Sequence, residues 1–266
     1  MRKSFSNKIM LNITNRKIST FDVRWAYFPG FTILFNNPQD ESSSSCSEEK
    51  KVYLNNSIEN NSKLDLYKII DKCVEELNKD NLINKYLLCI LPSNTYHVTL
   101  WSGLNIRSFN GINQQYYSIV EQWLSNPYLN EIPKDIIELP LMSSLCLNRN
   151  WNIMFEFDRL NIWNNSVLVA SLRPCEDSKL IFSKVCEDRS KLNKEYSNNL
   201  NVLTDSDLYR PHISLAYFAN EEGALKALES LDKWNELFNE ALKDKIILFN
   251  NADIYLFTDM IHFFKI

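Results

Sequence analysis

The chain has 266 residues, is 45% hydrophobic and 12% aromatic, and carries a net charge of -4. That is enough apolar material for one large core or two small ones. The mild acidity excludes a broad basic surface for duplex DNA, though it leaves room for a local positive cleft. Six cysteines without a C-x-x-C pair, and only three histidines, argue against a zinc site and against a disulfide framework. They read as reduced thiols of a cytoplasmic protein, with nuclear or organellar addresses left open. No apolar run reaches the length of a membrane span.

In chain order, residues 1–27 read as a loose basic N-terminal extension: Met1 to Phe21 contains five basic residues and no acid. Phe28-Pro29-Gly30 signals a turn, and Phe31 to Phe35 a first strand. Asn36 to Asn61, polar and holding Ser42 to Ser45, reads as a flexible insertion. Leu66, Ile69, Ile70, Cys73, Val74 and Leu77 fall at helical spacing, so Leu64 to Asn78 is expected to be an amphipathic helix. Tyr86 to Leu91 reads as a short strand. A strand containing His97 follows and ends at Gly103. Asn113 to Leu124 reads as a helix. Ile136 to Cys146, Trp151 to Phe157 and Ser166 to Leu172 read as strands, with Asn148-Arg149-Asn150 as a hairpin turn. Lys179 to Tyr196 is a charged helix with Leu180, Val185 and Leu192 inward. His212 to Phe218 is a strand, Glu221 to Leu242 a helix, and Ile246 to Phe249, Ala252 to Phe257 and Ile261 to Lys265 close the chain as strands. The two halves resemble each other, each running helix, His strand, helix, further strands. The expectation is an α+β fold of two antiparallel sheets lining a central cleft, with helices outside and residues 28–266 forming a single domain.

The chemistry concentrates in His97-Val98-Thr99-Leu100 and His212-Ile213-Ser214-Leu215. Side chains alternate along a strand, so each tetrapeptide offers an imidazole and a hydroxyl on one face and two apolar residues on the other. Two imidazoles supply acid and base near neutral pH, and Thr99 and Ser214 can donate to phosphoryl oxygens. Among the aromatics near these motifs (Tyr96, Trp101, Tyr217 and Phe218), strand parity sets Trp101 beside His97 and Thr99. It is therefore the best candidate to stack on a base, with Tyr217 weaker. Arg210, just before His212, is a candidate phosphate contact. His262 has no hydroxyl two residues on and reads as structural or surface.

These residues carry a resemblance. The pair of H-x-[ST]-hydrophobic motifs is similar to those of the 2H phosphoesterase superfamily. With them go Phe28-Pro29-Gly30-Phe31-Thr32, Leu91-Pro92 and Tyr209-Arg210-Pro211. The resemblance covers most of the chain from Phe28 onward. It implies a two-lobed, pseudo-symmetric fold around a central groove, with His97, Thr99, His212 and Ser214 catalytic and neither metal nor cofactor required. It also implies a phosphodiester substrate in an RNA end or small nucleotide, commonly a 2′,3′-cyclic phosphate, handled by a monomer. Trimming of RNA 3′ ends and non-catalytic binding of a nucleotide or RNA end are the alternatives. The motif pair does not distinguish the acid from the base.

Overall fold

A computed structural model of the chain describes residues 12–19, 25–38, 54, 58, 61–126, 131–204, 206 and 208–266. The fold is α+β. Its continuous apolar runs become buried strands, and its one-sided apolar patterns become helices laid against them. One antiparallel sheet has the order β3-β1-β8-β9, with β1 at Gly30–Phe35, β3 at Thr99–Asn105, β8 at Ala252–Phe257 and β9 at Phe263–Lys265. The other has the order β2-β6-β5-β4-β7, from β2 (Leu88–Ile90), β4 (Ile153–Trp163), β5 (Val167–Pro174), β6 (His212–Phe218) and β7 (Ile246–Phe249). Phe35 of β1 joins the sheets: its ring stacks on Phe249 at 4.9 Å and tilts against Phe155 at 5.9 Å. The β4–β5 hairpin turns through Asn164 and Asn165, both at positive φ near 50°, a conformation that asparagine tolerates.

Helices α1 (Asp65–Glu76), α3 (Gln114–Ser125) and α7 (Glu221–Ala241) lie within two residues of their expected bounds, and α6 (Lys179–Leu200) runs one turn further. Its inner face holds Val185 and Leu192 as expected, but not Leu180. Leu180 is exposed, while Val185, Arg189, Leu192, Asn193 and Tyr196 are buried. These fall at the 3.6-residue period only once an arginine and an asparagine are admitted to the inner face. A further helix, α2 (Lys79–Tyr86), takes the first residue of the expected Tyr86–Leu91 strand. It is too short and too polar to announce itself by periodicity. Asn78 caps it, accepting from the backbone N–H groups of Asp80 and Asn81, and Leu87 ends it in the left-handed region.

Ile136 to Cys146 is not a strand. It forms α4 (Lys134–Met142) and α5 (Ser144–Leu147). Ile136, Ile137 and Pro140 are buried while Glu138, Leu141 and Met142 face out, a helical spacing masked by the β-branched pair. Pro140 has no N–H to donate back to the Ile136 carbonyl, and the helix ends two residues after it. Asn148-Arg149-Asn150 consequently joins a helix to β4 and is not a hairpin. Most of the stretch 36–61 lies outside the described residues. At its start, Asn36 bonds to Asn251 and Asp253, and Asn37 accepts from the Tyr67 hydroxyl at 2.9 Å and donates to the Tyr96 carbonyl at 3.0 Å. Among the described residues no helix is long and apolar enough to cross a membrane.

Candidate active site

β3 is the edge strand of the first sheet, and β6 runs between β2 and β5 in the second. A cavity of about 230 Å³ is lined by His97, Thr99 and Ser102 from the first and by His212, Ser214 and Tyr217 from the second. Thr32, Asn105, Lys17 and an apolar wall of Phe28, Phe31, Phe257, Met260 and Phe263 complete it. Among the described residues none that lines it is a carboxylate. The four residues of the two motifs, widely separated in the chain, therefore meet at one hollow.

Each imidazole is oriented in the same way. His97 Nδ1 lies 2.7 Å from the Thr95 carbonyl oxygen, and His212 Nδ1 lies 2.9 Å from that of Arg210. A carbonyl only accepts, so each Nδ1 carries hydrogen, and Nε2 is the ring nitrogen through which each imidazole can take or give a proton. An aromatic ring backs each imidazole, Phe263 at 4.9 Å from His97 and Trp163 at 4.4 Å from His212. His97 precedes its strand instead of lying within it. The chain leaves a single turn of 3-10 helix at Ser93–Thr95, and Val98 is the first residue to accept from β1, through Phe35 N–H. Burial pushes the His97 pKa down from 6.5 to about 4; the Thr95 hydrogen bond opposes the shift, and His212 and Lys17 add to it.

Both strands bulge one residue beyond the hydroxyl. β1 pairs Leu34 with Thr99 and Ile33 with Trp101, which leaves Leu100 as an extra residue. β5 pairs Val169 with Ser214 and Leu168 with Ala216, which leaves Leu215 extra. A bulge shifts the alternation of faces by one. In β3 the next residue to reach the cavity after Thr99 is therefore Ser102, and in β6 the next after Ser214 is Tyr217. This corrects the expectation for Trp101. It is fully buried, donates from Nε1 to Asn193 Oδ1 at 2.7 Å and packs against Phe31 and Tyr196. It is core and has no face on the cavity. Tyr217, set opposite by parity, lines it. Arg210 is exposed and absent from the lining; its contribution is the backbone carbonyl that orients His212.

The bulge in β3 leaves carbonyls without ladder partners, and side chains take them. Tyr209 Oη donates to Thr99 O at 3.0 Å, Arg189 Nε donates to Leu100 O, and Thr32 Oγ1 donates to Trp101 O at 2.9 Å. The guanidinium of Arg189 lies 4.2 Å from the Tyr209 ring centroid, so α6 and the segment before β6 hold the same few residues of β3. In β6 the Leu215 carbonyl accepts from Leu91 N–H at 2.8 Å, just past β2.

Sequence reasoning missed Lys17, Ser102, Asn105 and Trp163. Lys17 belongs to the segment expected to be a loose extension. Residues 1–11 and 20–24 of it lie outside the described residues, and residues 12–19 are anchored: the N–H groups of Thr14 and Asn15 both donate to Ala219 O, and Asn15 Nδ2 donates to Phe218 O at 2.8 Å. The signal for Ser102 and Asn105 would have been a predicted bulge, which no local residue pattern announces here. Among the described residues no group of three or more histidine, cysteine or acidic side chains is set to hold a metal. His262 is tied to its own turn through Asp259 and takes no part in the cavity.

No protein-family model matches the chain, and no curated protein matches it. Among solved structures, that of a conserved protein of unknown function from Agrobacterium tumefaciens is similar, with a TM-score of 0.50 at 14% identity, covering 91% of this chain and 86% of that one. The likeness concerns the fold alone. It means that the α+β arrangement spans nearly the whole chain and is not a local motif.

Proposed function

We propose that the protein is a phosphodiesterase of the 2H type, cleaving a phosphodiester in an RNA end or nucleotide, with a 2′,3′-cyclic phosphate as the preferred form. The observation that carries this reading is the shared geometry of the two histidines. Each lines one cavity with its Nδ1 held by a backbone carbonyl, each has a hydroxyl two residues on, and among the described residues none in the lining is a carboxylate. The matching bulges after Thr99 and Ser214 support the pseudo-symmetric, two-lobed form of the fold. Among the described residues five cysteines are free, three of them buried, which suits a cytoplasmic setting.

In this reading the two imidazoles divide the work. His97, neutral at working pH because burial disfavours its charged form, is the base. It takes a proton at Nε2 from water as the water oxygen attacks phosphorus. His212 enters protonated and delivers its Nε2 proton to the ribose oxygen as that P–O bond breaks. The product is a phosphomonoester, and the two imidazoles exchange their protons with water before the next turnover. Thr99 and Ser214 donate to the non-bridging oxygens, where negative charge grows. Acid, base and charge donors are all side chains of the cavity, so the step is written without a metal.

The test is hydrolysis of nucleoside 2′,3′-cyclic phosphates in EDTA, beside 3′-tailed RNA and cyclic dinucleotides. Turnover of the cyclic nucleotide is expected, with His97→Ala and His212→Ala each reducing kcat at least ~10²-fold, the usual scale of lost acid–base catalysis. Lack of turnover across the panel, or an active alanine variant at either position, overturns the reading.

A further inference from the structure

Apart from the two imidazoles, the described residues of the cavity lining include a single basic side chain, Lys17, and neither sheet supplies it. It comes from residues 12–19, and its backbone is fixed. Lys17 N–H donates to Asn15 Oδ1 at 3.1 Å, Lys17 O accepts from Ala26 N–H at 2.8 Å, and the next residue, Ile18, is buried and bridged to Trp25. Asn15 in turn is bonded to Ser166 and Phe218, at the turn that opens β5 and the end of β6. Lys17 is therefore not a surface lysine that happens to point inward.

Its ammonium is half-buried. Nζ donates to Tyr217 Oη at 3.0 Å and lies 4.4 Å from the Tyr217 ring centroid and 5.3 Å from that of Phe28. Among the described residues no carboxylate lies within ion-pair distance of it. A cation drawn out of water onto two aromatic faces recovers part of its lost hydration there, and an anion would recover the rest. The same phenol also interacts with the Ser214 hydroxyl. Burial raises the Tyr217 pKa, and Lys17 together with the Ser214 contact more than reverses that, leaving it below its usual value. Lysine, phenol and serine thus form a connected row of donors along one wall of the cavity.

We propose that Lys17, Tyr217 and Ser214 form an oxyanion subsite that takes the non-bridging oxygens of a singly charged phosphodiester, and that the N-terminal segment thereby completes the active site. The identity of the ligand rests on the phosphodiesterase reading above; the existence of the subsite does not.

The test uses Lys17→Met, which keeps the packing of the stem and removes the charge, and Lys17→Arg, with thermal unfolding to verify that both are folded. Binding of inorganic sulfate is measured by NMR titration of the histidine ring signals. Lys17→Met is expected to weaken it roughly 10- to 100-fold, the range of a charge-assisted hydrogen bond, and Lys17→Arg to retain most of it. With a cyclic nucleotide, KM should rise by a similar factor. The acidic limb of the pH–rate profile should move to higher pH, because the ammonium no longer opposes protonation of His97, leaving His212 as the charged neighbour acting on it. Unchanged sulfate affinity and an unmoved pH profile in Lys17→Met overturn the inference, even where the parent turns substrate over. Sulfate binding that depends on Lys17 in a protein inactive on every phosphodiester keeps the subsite and removes the phosphodiesterase reading.

Discussion

His97 holds its neutral form because Phe263 and the cavity walls strip water from its ring, while Lys17 and His212 repel the charge that a second proton would bring. The sign of the resulting pH dependence is fixed. An unfolded chain takes up the proton near pH 6.5, and the folded one does so only near 4. The stability contributed by His97 is thus complete above 6.5 and is lost progressively as the pH falls through that window to about 4. Urea unfolding of the parent should show a steeper loss between those limits than His97→Asn. Parallel curves would mean that the ring is solvated. Trp101 and Tyr217 make the complementary point about side-chain direction. Counting by twos from each histidine sets the tryptophan on the site and the tyrosine off it. Each strand bulges between its hydroxyl and its aromatic residue, and the assignment reverses.

At the scale of elements, the bulge in β3 is what α6 supports. A helix charged on its outer face would ordinarily bury only apolar residues inward, yet this one buries Arg189 and Asn193 beside Val185 and Leu192. Both inward polar groups are bonded to β3, Arg189 to the carbonyl of the extra residue Leu100 and Asn193 to the Trp101 ring nitrogen. Removing the guanidinium leaves that carbonyl unpartnered and uncovers the face of Tyr209. Arg189→Met is expected to lower unfolding stability by about 2–4 kcal/mol in denaturant titration. It should also reduce kcat on any substrate that depends on Thr99, since the bulge sets the direction of that hydroxyl. A stability equal to the parent would show that the bulge holds itself. Helices α2 and α4 were obscured for local reasons: α2 is polar and only eight residues long, and α4 opens with two isoleucines and contains a proline. Tertiary burial overrode propensity in both.

For the whole molecule, the core reaches the cysteines as well. Burial raises the thiols of Cys73 and Cys89 to about 11 and that of Cys146 to about 12, well above the range in which a thiolate forms at neutral pH. In native protein at pH 8 these three should resist alkylation, while all six cysteines of the chain react once it is unfolded in denaturant. Mass spectrometry of the labelled peptides checks this. Rapid native labelling of Cys146 would show that the packing of α5 against β8 is open. The chain by itself determined a good deal. The paired motifs, the β1 strand, the bounds of β6 and α7, and the α+β class all follow from residue identity and short-range periodicity, which act within a few residues and can be read there. Only the tertiary structure decided that Lys17 enters the cavity, that Tyr217 and Ser102 face it, and that Trp101 does not. Those outcomes depend on register between strands distant in sequence and on hydrogen bonds from Asn15, Arg189 and Tyr209 across the fold, and neither leaves a periodic trace in the chain.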